Sequence, residues 1–336
     1  MKAVILEELG GPEKLIVKNV DTPEPGPGEV RVALHAAALN RRDLWITKDL
    51  YPKIQLPCTT GSDGAGVVDK LGDGVAPSLL NQEVVIYPAR DWGNDPRFPS
   101  PDFRILGMPD QGTFAEYICV DQKYIYPKPK HLSFAETASI PVAGLTAWRS
   151  VVTQGEINEN HRVLITGAGG GVSSFALKWC VNLGAEVYVS SGSEEKISWA
   201  RSLGATDGVD YHVEKCYKDL SRKVGGFDVI IDSSGGDSLN ELLDSLKPGG
   251  RYVFYGATRL NPSQGLEMAK LFFRQLRLQG TSMGTQDEFR AMLDFMEHHA
   301  IHPAIHEIYA LDDIVEVHLV MEKSAQRGKI VIDISG

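Results

Sequence analysis

Gly167, Gly169, Gly170 and Gly171 follow the apolar run Val163, Leu164, Ile165 and precede apolar residues at helical spacing: Phe175, Ala176, Leu177, Trp179, Cys180 and Leu183. Glycines at such a junction let the chain turn sharply and bring main-chain N–H groups against a pyrophosphate at a helix N-terminus. A dinucleotide is the expected ligand. The spacing departs from a plain GxGxxG fingerprint, because the third glycine position falls on Val172 and Ser173 follows it. Glu186 to Val189 reads as the next strand and leads into Ser190, Ser191, Gly192, Ser193 and, shortly after, Lys196. An NAD site places Asp or Glu there for the ribose 2′-hydroxyl, whereas a 2′-phosphate needs hydroxyl donors and a cation. The serines and Lys196 therefore favour NADP(H) over NAD(H), and Tyr211, closing the next short strand, could cover the same phosphate. Glu194 and Glu195 read as complements to the dipole of the following helix.

Leu164 to Val189 is one βαβ unit, and the alternation continues beyond it: a strand Val229 to Ser234, a helix around Leu239 to Leu246, a KPGG turn, a strand Arg251 to Ala257, a helix near Leu266 to Leu276, then RLQGTS. That pattern predicts a doubly wound parallel sheet. Before it, the first 125 residues read as β-rich, with strands at Val30 to Leu34, Gly66 to Asp69 and Glu83 to Tyr87 and a polar loop over 88–111 that carries five prolines. A helical stretch, SFAETASIPVAGLTAWRSV, connects the two regions. After a helix Asp287 to Met296, a strand near Ile308, a helix from Asp312 and the strand KIVIDI are expected to return to the first region. The resulting domains are 1–125, 126–302 and 303–336.

The chain of 336 residues is 43% hydrophobic and 23% charged, which suits two soluble domains. Its net charge of -10 comes without basic runs, which argues against nucleic acid or an anionic membrane as partner. The charged start MKAVILEELG does not read as a signal peptide, and with no long apolar stretch a cytoplasmic location is expected. Cys58, Cys119, Cys180 and Cys216 lie far apart with no CxxC, as for reduced thiols and not a local zinc knuckle. His298 and His302 would share a helix face, but no Cys or carboxylate spacing completes a metal site with His299 and His306, so a solvated helix end is expected.

In order along the chain, PEPGPGEVRV, NRRD, GSDGAGVV, GTFAEY, PVAGLTAW, GAGGGV, LKPGGRYV and GKIVI resemble the medium-chain dehydrogenase/reductase superfamily, and its zinc-independent quinone oxidoreductases in particular. The resemblance implies an α/β fold: a GroES-like β-rich catalytic domain plus a doubly wound Rossmann domain, with the active site between them. It also identifies the positions that hold catalytic zinc in zinc-dependent members; here they carry Asn40, Ser62 and Ala143, of which none is a good zinc ligand. No cysteine occupies 88–111, where the structural zinc lobe would fall. Without a metal to activate an alcohol, the implied chemistry is hydride transfer to a quinone or an α,β-unsaturated carbonyl, whose conjugation spreads the arriving charge onto an oxygen that hydrogen-bond donors can stabilise. By the same resemblance, Asn40, Asp43 and Tyr51 line the site, and Trp45 stands where relatives often have a second tyrosine. Asn40 and Tyr51 would polarise the acceptor oxygen, with Asp43 in support. Thr146, Ser233, Gly256, Ala257, Thr281 and Met283 match positions along the cofactor, and the strand around Leu278 to Thr281 matches one that pairs two subunits into a homodimer. A zinc-type alcohol dehydrogenase and a non-catalytic NADP-binding redox sensor are the alternative readings.

Overall fold

The computed structural model describes residues 1–335, which fall into two compact units. The first comprises Met1–Leu145 and the chain from Gly284 onward; the second is Thr146–Met283. Residues 126–145 and 284–302, expected with the dinucleotide-binding region, thus pack with the β-rich one. Among the described residues no helix is long and apolar enough to cross a membrane.

The first unit is organised by the ten-residue strand Glu29–Ala38. Its first half alternates, burying Val30, Val32 and Leu34, as a half-exposed strand does. Its end, Ala36, Ala37 and Ala38, is buried on both faces, because Ala138 of the helix Phe134–Ala138 packs there beside Ala65 and Val331. Only small side chains leave room for that helix. The strand pairs antiparallel with Asp63–Leu71, with Tyr117–Asp121 and with the late strand Lys329–Asp333. The last pairing sets Val331 opposite Ala38 and delivers Lys329 beside the start of the helix Arg41–Thr47.

The second unit is a six-stranded parallel sheet in the order Asp207–Asp210, Glu186–Ser191, Arg162–Ile165, Phe227–Asp232, Leu246–Phe254, Arg277–Gly280. This is the doubly wound topology expected from the alternation.

Several boundaries differ from expectation for local reasons. The helix from Leu239 stops at Ser245, because Leu246 turns extended and pairs with Phe227; the KPGG segment belongs to that irregular strand start. The next helix spans only Met268–Arg274, ended by Gln275 in the left-handed region. Residues 88–111 contain a small hairpin, Ala89–Arg90 against Arg104–Ile105. The connecting helical stretch breaks into Phe134–Ala138 and Pro141–Trp148 and runs on into a π-helical turn, Arg149–Gln154. His302 Nδ1 lies 2.6 Å from Glu136 Oε1, and among the described residues no group of three or more His, Cys, Asp or Glu side chains converges as a metal site.

Candidate active site

In the first unit the chemistry gathers where the helix Arg41–Thr47 begins. Asn40 caps this helix: its main-chain N–H donates to Asp43 Oδ2 at 2.8 Å, and Asp43 N–H donates to Asn40 O at 3.0 Å. The Asn40 side chain is committed at both ends. Its Oδ1 accepts from Lys329 Nζ at 2.7 Å, and its Nδ2 donates to Asp63 Oδ2 at 2.9 Å, leaving one amide hydrogen. Lys329 is 2% exposed and Asp63 fully buried, and their ion pair closes at 2.9 Å. Leu39 O accepts a third Lys329 hydrogen bond, and Val142 N–H donates to Asp63 Oδ1, both at 2.8 Å. Every polar atom of the pair has a partner, as a buried ion pair requires.

Asp43 is less well served. Its Oδ1 is buried without a hydrogen-bond partner, and burial pushes the carboxyl up to about 6 against the pull of Arg42. Arg42, also buried, donates from Nη1 to Ser62 Oγ and to Leu106 O at 2.8 Å, and from Nε to Tyr51 Oη at 3.3 Å, with its guanidinium 4.7 Å from the Tyr51 ring centre. Tyr51 is partly exposed and so remains accessible. Trp45 is half-buried on the same helix. A cavity of about 1130 Å³ opens nearby in sequence, around Trp92, Phe103, Arg104, Tyr124 and Lys53, but its walls do not include the Asn40 to Lys329 cluster.

The second unit supplies main-chain groups instead. The loop after Arg162–Ile165 turns through Gly167 at φ 70° and Gly169 at φ 103°, a left-handed region that favours glycine. Gly170 caps the helix Gly171–Asn182, so the first-turn N–H groups of Gly171, Val172 and Ser173 lack intrahelical acceptors and point from a positive helix end. A methyl group on Gly170 would come within 3.1 Å of Ser173 Oγ, and one on Gly167 within 3.1 Å of Ser233 Oγ, so a side chain at either position would make its serine neighbour shift. Asp232, fully buried, ties the cradle to the next strand end: it accepts from Thr166 Oγ1, Tyr252 Oη and Gly235 N.

Of the residues expected around a 2′-phosphate, Ser193 caps the helix Glu194–Ser202, where Lys196 lies in the first turn. Tyr211 lies against Gly192, whose absent methyl would meet Tyr211 Oη at 2.7 Å. Ser190 is different: its Oγ is buried 3.2 Å from Tyr217 Oη, so it supports the strand end and does not face a ligand. Ser191 Oγ is likewise buried, 3.5 Å from Ala168 O. Glu194 pairs with Arg201, consistent with a surface role. Thr146 is buried with Oγ1 3.8 Å from Met283 Sδ, and Thr281 Oγ1 is buried without a partner. Ser233 N–H donates to Thr166 Oγ1 at 3.2 Å, while Gly256 and Ala257 follow the strand Leu246–Phe254.

Residues 26–130 match the alcohol dehydrogenase GroES-like domain, and residues 171–298 match the zinc-binding dehydrogenase domain. A zinc-type alcohol dehydrogenase-like protein (YogA) of Leptosphaeria maculans is 36% identical over 94% of this chain and 93% of its own length. The chain belongs to the medium-chain dehydrogenase/reductase superfamily. A Pseudomonas aeruginosa quinone oxidoreductase is 27% identical over 98% of this chain and 99% of its own. A crystal structure of an NAD-dependent alcohol dehydrogenase superposes with a TM-score of 0.94 at 36% identity, covering 99% of this chain and all of that one. The protein is accordingly an oxidoreductase with the nicotinamide-dinucleotide fold of this superfamily.

The family's catalytic zinc does not fit the residues present. Asn40 and Ser62 are neutral and hydrogen-bonded, Ala143 has no donor, and the adjacent carboxylates Asp63 and Asp43 are set against the cations Lys329 and Arg42. A dinucleotide fits the glycine cradle. Sequence reasoning passed over Lys329, Arg42 and Arg259. The motif GKIVI contains Lys329 and NRRD contains Arg42, but nothing in either pattern says that the cation turns inward. Arg259 follows the strand Leu246–Phe254, and its guanidinium stacks 4.6 Å from the Tyr211 ring centre.

Proposed function

We propose that this oxidoreductase transfers hydride from NADPH to a quinone or an α,β-unsaturated carbonyl without catalytic zinc. The observation that carries the reading is that two of the zinc-ligand positions, Asn40 and Ser62, are tied into hydrogen bonds, Asn40 with Asp63 and Lys329 and Ser62 with Arg42. A dication there would have to break the buried Lys329–Asp63 pair and meet Arg42, at a desolvation and repulsion cost. A conjugated acceptor needs no metal, because its carbonyl oxygen takes the displaced electron pair and a hydrogen bond can stabilise it. The remaining Asn40 amide hydrogen and the Tyr51 hydroxyl are the candidate donors. The bound cofactor supplies the hydride; this chain binds its pyrophosphate on the first-turn N–H groups of Gly171, Val172 and Ser173. NADPH is favoured by Ser193 and Lys196, and by Arg259, which stacks on Tyr211 and has no carboxylate partner among the described residues.

The test is the loss of reduced-nicotinamide absorbance with a panel of quinones and enones, with NADPH beside NADH, before and after chelation. Turnover that prefers NADPH and ignores chelation is the expected result. Stoichiometric zinc in chelator-free protein and chelator-sensitive alcohol oxidation with NAD would instead support the second reading, which the similarity to an NAD-dependent alcohol dehydrogenase favours. Tight NADPH binding without turnover would make the protein a redox sensor.

A cytoplasmic homodimer completes the proposal. Among the described residues nothing pairs with the outer side of the edge strand Arg277–Gly280, and Phe272 and Phe273 are exposed on the preceding helix. Light scattering at micromolar concentration should report twice the chain mass; a monomer would overturn this part.

A further inference from the structure

We propose that Arg42 is a positioning residue for the acceptor: it holds Tyr51 so that the phenol hydrogen is free to be donated to the substrate oxygen. The inference rests on the reductase reading above and goes beyond it by naming the group that orients the donor.

The geometry is specific to a guanidinium. Arg42 Nη1 is anchored by Ser62 Oγ and Leu106 O, and Nη2 reaches Met108 O at 3.4 Å. Ser62 Oγ itself donates to Leu106 O at 2.7 Å, which fixes it as the acceptor of the Arg42 bond. With its far side pinned to main-chain carbonyls, the planar fork presents Nε–H to Tyr51 Oη at 3.3 Å, and the centre of the guanidinium lies 4.7 Å from the Tyr51 ring centre. Arginine has no acceptor atoms, so Tyr51 can only accept from it. The phenol O–H must then point elsewhere, and no other group of the described protein accepts it. Arg42 Nη1 lies 3.9 Å from Asp43 Oδ1, so its charge is opposed by one incompletely bonded carboxylate and otherwise meets neutral oxygens. Ser62 thus anchors a fixed organic cation.

In the reaction, hydride adds to the β-carbon of the enone, and the alkene electron pair moves through the conjugated system onto the carbonyl oxygen. Tyr51 keeps its proton and donates a hydrogen bond to that oxygen, while the α-carbon takes a proton from water. NADPH is oxidised and the alkene is reduced by one hydride and one proton. Lysine at position 42 would keep the charge but lose the fork, and with it the Nε–H that directs Tyr51.

The experiment compares wild type, Arg42→Lys, Tyr51→Phe and the double variant by steady-state kinetics with an enone and NADPH. Tyr51→Phe is expected to lower kcat about a hundredfold, and Arg42→Lys at least about tenfold, as for loss of one oxyanion donor. The KM for NADPH should not move. The double variant should be no slower than Tyr51→Phe alone, since Arg42 acts through that hydroxyl. Added guanidinium ion should partly restore an Arg42→Gly variant with Tyr51 present and fail to do so when Arg42→Gly is combined with Tyr51→Phe. Undiminished kcat in Arg42→Lys, multiplicative losses in the double variant, or rescue that ignores Tyr51 would each overturn the proposal. Should the Arg42 variants not fold, a Tyr51→Phe enzyme as fast as wild type overturns it alone. Absence of wild-type turnover with any acceptor overturns the reductase reading, and this role with it; wild-type turnover with an unaffected Arg42→Lys overturns only the role.

Discussion

The glycine cradle of the second unit and the Asn40 to Lys329 cluster of the first both gather polar groups, but from different material. In the cradle the donors are main-chain N–H groups left over by helix geometry, and the side chains matter chiefly by being absent. In the cluster the donors and charges are side chains drawn from distant places in the sequence, Asn40, Asp63 and Lys329, each satisfying another in a buried setting. A cradle of that kind tolerates changes around it as long as no methyl intrudes. A closed charge network does not, because removing one member leaves its partner buried and unpaired.

Substitutions can break or sharpen this contrast. The largest effect is expected from Lys329→Met, which leaves the Asp63 carboxylate buried without its cation. Denaturant unfolding should show a loss of about 3–5 kcal/mol, and Asp63→Asn in the same chain should recover part of it. Asp43→Asn should act in the opposite direction. Between the ordinary carboxyl value of 3.8 and about 6, folded Asp43 holds a proton that the unfolded chain has released. Its contribution to stability therefore falls as pH rises through that window and stays low above it. The Asn variant is expected to be more stable than wild type above pH 6, by about 3 kcal/mol at most. The difference should vanish below the ordinary carboxyl value, which unfolding curves across pH will check.

In the second unit the effects should fall on the cofactor and leave folding alone. Arg259→Ala removes an exposed cation whose contact is the Tyr211 ring and which has no carboxylate partner among the described residues, so thermal stability should hold while the KM for NADPH rises about tenfold; the KM for NADH should not change. Gly192→Ala is the mildest. Its methyl would meet His212 Cε1 at 2.4 Å and Tyr211 Oη at 2.7 Å, the far ends of two side chains, of which His212 is exposed. A rise of about threefold in the KM for NADPH is expected, again sparing NADH. If Gly192→Ala or Arg259→Ala instead lowered stability as Lys329→Met does, the contrast between an open cradle and a closed network would fail.

The sequence by itself determined the doubly wound sheet and the glycine turn. Those features are written in local periodicity and in glycines next to a strand, and local backbone sterics act over a few residues. It also determined which residue types stand at the zinc positions. Domain limits were less legible: the helix Gln286–His298 has the same amphipathic pattern whichever unit it joins, and only packing of Phe289 against Tyr87 and Tyr126 places it. Ser190 and Ser193 look alike in sequence, yet one is turned inward to Tyr217 and the other caps a helix. The pairing of Lys329 with Asp63, across 266 positions, was decided by the tertiary structure alone. An antiparallel strand register put an ammonium next to a buried carboxylate, and the low-dielectric interior made that encounter matter; neither cause leaves a mark on the residues immediately around it.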